Sequence, residues 1–455
     1  MFYKRLVLCL SALLLISCGG QGGYSGSPSG TYVVNVSVSG LPNNGNARVV
    51  VQNNGTSTLT FINNGTQSFP SQQLGTPNSV SVLTQPSPLN CVVSAPSGTN
   101  PVNVNVTCSE MIVYVTNYGT SKLSALSIGA GGVLTQLPGG LVATDINATN
   151  PTSVVIHPNG QYAYVSNYST TNPSISVFNW QSGSLRLLTN VPMDSNLESG
   201  PYKLVLSPNG SYLYCVNIIS GTISVFAVSG GGAVLTALVG SPLSVRPGIN
   251  SIAIDPTNSY VYVSGGTANS TIYEFQIQTN GSLQLHSQTS VGISAPTSVV
   301  VSPTGNFVYV VNSTTNNVTV FSIGGGGMLS YKSTSPHTGT TPHDIAFSPN
   351  GAYAYVTNYG TTQNPATLSQ FKVDTSTGPT AGALTAMNPA TVNAGLSPAA
   401  GPYAIVVDPT GYSVFSSNYN EGTISQYLIT GTGSLSVASP TFTTSISAPT
   451  SIAIH

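Results

Sequence analysis

Short runs of alternating apolar and polar residues fill most of the chain, and turn residues separate them. One unit recurs at spacings of 46 to 60 residues: a proline-led apolar run, a Pro-Asn-Gly-like turn and a Tyr-x-Tyr-Val-x-Asn run. Such alternation is typical of half-buried β-strands, and proline followed by glycine is typical of tight turns. The proline-led runs are Pro151–Pro158, Pro201–Pro208, Ile249–Pro256, Pro296–Pro303, Pro342–Pro349, Pro402–Pro409 and Pro449–His455. The tyrosine runs are Val113–Asn117, Tyr162–Asn167, Tyr212–Asn217, Tyr260–Gly265, Phe307–Asn312, Tyr353–Asn358 and Tyr412–Asn418.

A repeat of about 50 residues made of short strands predicts a β-propeller with one four-stranded blade per copy. The two halves of the repeat are offset, because the first tyrosine run lacks a proline-led run and the last proline-led run lacks a tyrosine run. Pro449–His455 would therefore supply the inner strand of the blade that begins at Ile112. The sequence predicts an all-β, seven-bladed propeller over residues 110–455 that closes through this shared blade.

A separate module, residues 31–109, precedes the repeats and does not share them. Its short alternating strands, joined by Asn-Gly turns and proline-rich loops, predict a small Ig-like β-sandwich. Cys91 and Cys108 flank a strand-turn-strand stretch and are expected to form a disulfide in an oxidising compartment. We expect the module to act as a spacer between a membrane and the propeller.

The first residues have the pattern of an export signal. Residues 1–17 carry Lys4 and Arg5 followed by an apolar run too short to span a bilayer. The run ends in a segment that resembles a bacterial lipobox with Cys18 as the lipidated residue; a plain signal peptide is the alternative. Residues 18–30 would form a Gly/Ser tether. The prediction is a lipid-anchored protein of the cell envelope, at the outer membrane or cell surface.

Charged residues make up only 4% of the chain, with a formal net charge of −1. No basic stripe exists, which argues against a nucleic-acid partner. Histidines and carboxylates do not occur at metal-ligand spacing, so we expect neither a metal nor another cofactor. We expect a monomer whose surface is covered by Asn, Thr, Ser and Gly.

The tyrosine runs carry a family resemblance. Tyr114–Asn117 and Tyr355–Asn358 read Tyr-Val-Thr-Asn, and Tyr164–Asn167 differs by one residue. Over about residues 110–455 the chain resembles the YVTN-repeat and lactonase-type seven-bladed propellers, which include 6-phosphogluconolactonase-like enzymes. The resemblance implies a lactone-hydrolysing site of histidine, carboxylate and arginine residues around the central channel. No family motif carries over residue by residue, and the aligned inner strands offer no arginine.

Alignment of the proline-led runs identifies two rings of side chains near the axis. Small residues always occupy the fifth position, so we assign the third, fifth and seventh positions to the channel and the second to its rim. The third position holds Ser153, Lys203, Ser251, Ser298, Asp344, Ala404 and Ser451. The second holds Thr152, Tyr202, Asn250, Thr297, His343, Tyr403 and Thr450.

One group of these residues is the predicted ligand site. Lys203 and Asp344 lie three blades apart across the ring, with Tyr202, His343 and Tyr403 beside them. The group would suit a small polar ligand or a sugar; the alternative is that Lys203 and Asp344 only keep the channel mouth hydrated.

The predicted function is that of a surface-anchored binding platform for a glycan, a cell-wall component or a protein. A lactonase-like hydrolase acting on a sugar lactone at the channel mouth is the alternative. Tyrosine, serine and asparagine supply contact area and adaptable hydrogen bonds, which suits a platform.

Overall fold

The structure is a computed structural model. It describes residues 30–42, 47–73, 78–86, 89–94, 96–98, 101–129, 133–145, 150–181, 183–265, 270–442 and 446–455. The predicted signal peptide and the lipidation site Cys18 lie outside these residues. Within the described ranges, no helix has the length and apolar character needed to cross a membrane.

The N-terminal module has two larger sheets around one apolar core and a two-stranded sheet in which Thr31–Tyr32 pairs with Gln72–Gln73. One of the larger sheets has four strands and the other has three, and Val36 and Val104 of the first share a core with Val51 and Phe61 of the second. A disulfide joins Cys91 to Cys108 on adjacent strands. The Ig-like topology stays a prediction. The module's strands are Thr31–Tyr32, Val34–Ser39, Val49–Asn53, Ser57–Phe61, Gly65–Ser68, Gln72–Gln73, Val80–Thr84, Leu89–Val93 and Val102–Glu110.

Seven antiparallel sheets, the blades of a propeller, make up the remainder, and we number them 1 to 7 from Ile112. The proline-led strands lie around the axis, each in contact with the next one in the ring. These inner strands are Pro151–Ile156, Pro201–Leu206, Ile249–Ile254, Pro296–Val301, Pro342–Phe347, Pro402–Val407 and Pro449–Ile454, of blades 2 to 7 and then 1. The second strands, of blades 1 to 7, are Ile112–Asn117, Tyr162–Asn167, Tyr212–Asn217, Tyr260–Gly265, Phe307–Asn312, Tyr353–Asn358 and Ser413–Asn418.

Two further strands complete each blade on its outer side. The third strands are Lys122–Ile128, Ser174–Gln181, Thr222–Ser229, Thr271–Ile277, Asn317–Ile323, Thr367–Val373 and Thr423–Ile429. The outer strands are Leu134–Ala143, Ser184–Pro192, Val234–Ala237, Leu283–Thr289, Leu329–Thr334, Leu384–Asn393 and Leu435–Phe442, and blade 3 adds Leu243–Ser244. Single 3₁₀ turns lie at two hairpin tips, Gly230–Gly232 and Gly325–Gly327.

The ring closes as the offset of the repeats predicts. Pro449–Ile454 pairs antiparallel with Ile112–Asn117, so the last strand of the chain is the inner strand of blade 1. The buried hydroxyl of Thr450 bonds to that of Thr116 in the same blade and donates to the Pro151 carbonyl of blade 2. The C-terminal strand therefore joins blade 1 to blade 2 as well as completing blade 1.

The repeated tyrosine and asparagine each have one structural role. The buried tyrosine at the third position of the second strand donates its hydroxyl to a glycine carbonyl in the next blade's outer hairpin. The pairs are Tyr164–Gly232, Tyr214–Gly281, Tyr262–Gly327, Tyr309–Gly382 and Tyr355–Gly433. The asparagine that ends the strand donates its amide to side chains at the start of the third strand, as Asn217 does to Thr222 and Ser224.

Glycine is required at these hairpin tips. Gly327 has φ 76°, and a Cβ there would lie 2.2 Å from the Tyr260 ring. The positive φ and the close ring both exclude a side chain. Interblade packing thus depends on a tyrosine in one blade and a glycine in the next.

Candidate functional site

The third-position residues of the inner strands join neighbouring blades. Ser153 accepts a hydrogen bond from the Leu204 amide, and Ser251 accepts one from the Val299 amide, both at 3.1–3.2 Å. Ser451 does the same for the Val154 amide. These serines are buried between neighbouring inner strands and do not face the channel. The prediction that the whole third-position ring lies on the channel side is therefore wrong for them. Of the third position, only Lys203, Asp344 and Ala404 line the cavity at the mouth.

The second-position residues form the rim of that cavity, as the alignment predicts. All seven line it, together with the three third-position residues named above. Four of the seven also bond to the first carbonyl of the next inner strand, which closes the ring from blade to blade. These bonds are Thr152–Pro201, Asn250–Pro296, Thr297–Pro342 and Thr450–Pro151.

The two tyrosines of the rim instead bond to each other across the channel. Tyr202 of blade 3 and Tyr403 of blade 7 place their hydroxyl oxygens 2.5 Å apart. Burial raises the pKa of both phenols, and the Tyr202 hydroxyl raises that of Tyr403 further. Both hydroxyls are therefore neutral at physiological pH, and the pair spans the mouth.

His343 has one defined tautomer. Its Nδ1 lies 2.8 Å from the Tyr403 carbonyl oxygen, and because a carbonyl only accepts, Nδ1 carries the proton. Nε2 then carries the lone pair, and it has no partner among the described residues. Burial lowers the pKa of His343 to about 4; the Asp344 charge opposes the shift and the Lys203 charge adds to it. His343 is a neutral imidazole with a free acceptor nitrogen over most of the pH range.

The two charged groups of the cavity differ in their contacts. The Asp344 carboxylate accepts hydrogen bonds from Ser298 Oγ at 2.8 Å and from the Ile345 amide at 3.0 Å, and a longer one from Ile405. Within the described part of the chain, the Lys203 ammonium makes no hydrogen bond or ion pair. Protein groups hold the Asp344 carboxylate in place, whereas the donors of the Lys203 ammonium are unused among the described residues.

The structure thus brings together all five residues that the sequence proposes as a ligand site: Tyr202, Lys203, His343, Asp344 and Tyr403 line one cavity. The described residues contain no cluster of side chains that could hold a metal ion. The arrangement offers a base, a cation and a fixed carboxylate.

The outer part of the mouth was not predicted from the sequence. A bowl open to solvent adjoins the cavity and includes Tyr118, Tyr168 and Tyr419 with Ile218 and Ile219. We call it the tyrosine bowl; it shares Tyr202 and Tyr403 with the cavity. Each of the three additional tyrosines directly follows the asparagine that ends a second strand. That register was readable from the repeats and would have placed them at the mouth.

Comparisons with known proteins agree with the propeller fold. The family model of the lactonases with a seven-bladed β-propeller matches residues 45–325 and 299–392. None of the functionally curated proteins compared with the chain has significant similarity to it.

Solved structures share the fold at low identity. One is the periplasmic gluconolactonase of Pseudomonas aeruginosa, with 18% identity and a TM-score of 0.61, covering 76% of this chain and 99% of that one. Another is a candidate 6-phosphogluconolactonase of Bacteroides fragilis, with 20% identity and a TM-score of 0.62, covering 76% of this chain and 98% of that one. At these identities the likeness shows the fold alone. Because the family model spans more than half of the sequence, the chain belongs to the family of lactonases with a seven-bladed β-propeller.

Proposed function

We propose that the protein hydrolyses a sugar lactone at the mouth of its central channel. One observation carries the proposal: the free Nε2 of a neutral His343 and the unpartnered ammonium of Lys203 line the same cavity. Family membership supports this hydrolase over the binding platform that the sequence alone favours. Lactone opening requires a base for water and a cation for the oxyanion, and these two residues can supply them.

The reaction proceeds in two steps that need no other group. Nε2 of His343 takes a proton from water as the oxygen bonds to the lactone carbonyl carbon, and the carbonyl electrons move to the oxygen, which Lys203 stabilises. The tetrahedral intermediate then collapses, the ring C–O bond breaks, and the imidazolium returns its proton to the departing alkoxide. The product is the open hydroxy acid. Asp344 favours the transient imidazolium, because its charge raises the pKa of His343.

The site differs from the arginine-containing one that the family resemblance implies. No arginine lines the cavity, and Lys203 is its only cation. An ammonium is a point charge without the bidentate geometry of a guanidinium, so it suits a single developing oxyanion.

The experiment compares wild-type protein with His343→Gln and Lys203→Met for hydrolysis of glucono-δ-lactone, measured by proton release and corrected for the spontaneous reaction. We expect each change to lower kcat by about 100-fold or more. The matched controls are His286→Gln and Lys372→Met, because both residues are exposed outside the cavity. They should keep wild-type rates. Equal rates in all four variants would refute the assignment.

Ligand binding without turnover is the second candidate function, and the tyrosine bowl favours it. Tyrosine supplies rigid contact area at low entropic cost. No hydrolysis of any lactone by the wild-type protein, together with retained binding of a sugar, would leave this function in place of the first.

A further inference from the structure

We propose that the tyrosine bowl is a carbohydrate subsite, so that the preferred lactone carries an additional sugar residue and no phosphate. This inference rests on the proposed function and names its substrate class. The bowl adjoins the cavity directly and shares Thr152, Tyr202, Tyr403 and Thr450 with it. The space beside His343 is narrow and the Tyr202–Tyr403 pair spans its mouth, so a lactone carbonyl directed at His343 would leave the rest of its ring and the next substituent in the bowl.

A continuous series of aromatic rings leads from the proposed base into the bowl. The ring centroids of His343 and Tyr403 are 3.7 Å apart, and those of Tyr403 and Tyr419 are 5.6 Å apart. Tyr118 follows at 6.3 Å from Tyr419. The series crosses blades 6, 7 and 1. Of these rings, Tyr118 and Tyr419 line the bowl, where a half-buried aromatic ring can pack against the apolar C–H face of a pyranose and remove it from water.

The bowl also offers unused polar groups. In the part of the chain that the structure describes, the hydroxyls of Tyr118, Tyr168 and Tyr419 have no hydrogen-bond partner. All three side chains are half-buried, with the ring partly covered. A sugar residue presents apolar faces and a rim of hydroxyls, and this combination of rings and free phenols matches both.

The charges argue against a phosphorylated substrate. No charged side chain lines the bowl, and Lys203 is the only cation of the inner cavity. A phosphomonoester carries a charge of about −1.5 to −2 and is usually held by several cationic donors. Lys203 cannot serve both such a phosphate and the oxyanion. A neutral glycosyl extension is the substituent that these residues accommodate.

The test compares cellobionolactone and maltobionolactone with glucono-δ-lactone and 6-phosphogluconolactone as substrates of the purified protein. We expect kcat/KM for one disaccharide lactone to exceed that for either single-ring lactone by about tenfold. Tyr419→Ala and Tyr168→Ala should raise KM for the disaccharide lactone about tenfold more than for glucono-δ-lactone, with kcat little affected. Tyr419→Phe keeps the aromatic ring, so KM for the disaccharide lactone should rise less than in Tyr419→Ala.

The matched control is Tyr412→Ala. Tyr412 is 48% exposed and precedes the second strand of blade 7, whereas Tyr419 follows it, so the two lie at opposite ends of that strand. The control should behave as wild type. Binding of cellobionate, the ring-opened acid, is measured by calorimetry on the same variants.

The outcomes separate the two proposals. Equal kcat/KM for all lactones, without a selective effect of Tyr419→Ala, would overturn the carbohydrate subsite and leave the hydrolase. Preference for 6-phosphogluconolactone would do the same. Binding of cellobionate that Tyr419→Ala abolishes, without hydrolysis of any lactone, would support the subsite and refute the hydrolase. Neither binding nor hydrolysis would refute both.

Discussion

The proposed hydrolysis depends on one residue, His343, whose protonation is controlled by its surroundings. Burial lowers its pKa to about 4, from an ordinary value of 6.5, so the imidazole is neutral at any pH well above 4. A neutral imidazole can act as a base but is a weak one, since basicity falls with the pKa. The nearby Asp344 carboxylate partly offsets this by favouring the protonated form.

The pH dependence of hydrolysis follows from this pKa. The proposed mechanism requires neutral His343, so we expect kcat/KM to be lost as the pH falls through about 4, and not near the ordinary 6.5. The Lys203 charge lowers the pKa, so Lys203→Met should move this acid limb to higher pH even though it slows the reaction. Asp344→Asn should move it to lower pH. The measurement is a profile of kcat/KM from pH 3 to 8; a wild-type limb at 6.5 would contradict the assignment.

At this scale the sequence predicts which residues meet but not how they bond. The repeats align the inner strands, so the register alone places Tyr202, Lys203, His343, Asp344 and Tyr403 at one mouth. The bond between the Tyr202 and Tyr403 hydroxyls depends on side-chain conformations of residues 201 positions apart. No pattern within one repeat specifies it, and the same holds for the contact of His343 with the Tyr403 carbonyl.

At the scale of the element, the repeat encodes contacts between blades as well as within them. The third-position tyrosine of the second strand is buried and bonds to the next blade, as Tyr262 does to Gly327. Its glycine partner was not predicted, because the hairpins that carry Gly281, Gly327 and Gly382 differ in sequence, and the hairpin of Gly382 is also longer than the other two. The third-position serines were placed in the channel for a related reason. Strand alternation predicts the face of the strand on which a residue lies, but it does not predict that the serine bonds to a backbone amide of the neighbouring inner strand.

The tyrosine–glycine bond gives a stability prediction. Tyr262→Phe removes the hydroxyl that donates to the Gly327 carbonyl at 2.9 Å and leaves that carbonyl without this donor. We expect the free energy of unfolding to fall by about 1 to 2 kcal/mol, the usual effect of losing a buried hydrogen bond. Denaturant titration measures it. Tyr412→Phe, at an exposed tyrosine, is the control and should change stability by less than about 0.5 kcal/mol. An equal effect of the two changes would contradict the role of the bond.

At the scale of the whole molecule, the sequence predicts the fold best, because a ring of similar units leaves few topologies. The chain has seven copies of the repeat, and the two halves of the repeat are offset. The last strand must therefore pair with Ile112–Asn117, the first strand of the propeller. The site depends on this closure, since Thr450 lines both the cavity and the tyrosine bowl. The closure of the ring also brings Tyr118 of blade 1 beside Tyr419 of blade 7.

Removal of residues 449–455 should therefore open the ring at blade 1. The strand Ile112–Asn117 would lose its pairing with Pro449–Ile454, and Ile452 would leave a core that includes Val115 and Phe415. We expect fast hydrogen exchange throughout blade 1 in the truncated chain, measured by mass spectrometry with blade 4 peptides as the internal reference. Ile452→Ala is the control: it costs about 2 to 4 kcal/mol in packing but keeps the backbone pairing, so protection in blade 1 should fall less. Blade 1 peptides as well protected as those of blade 4 after truncation would show that another element closes the ring.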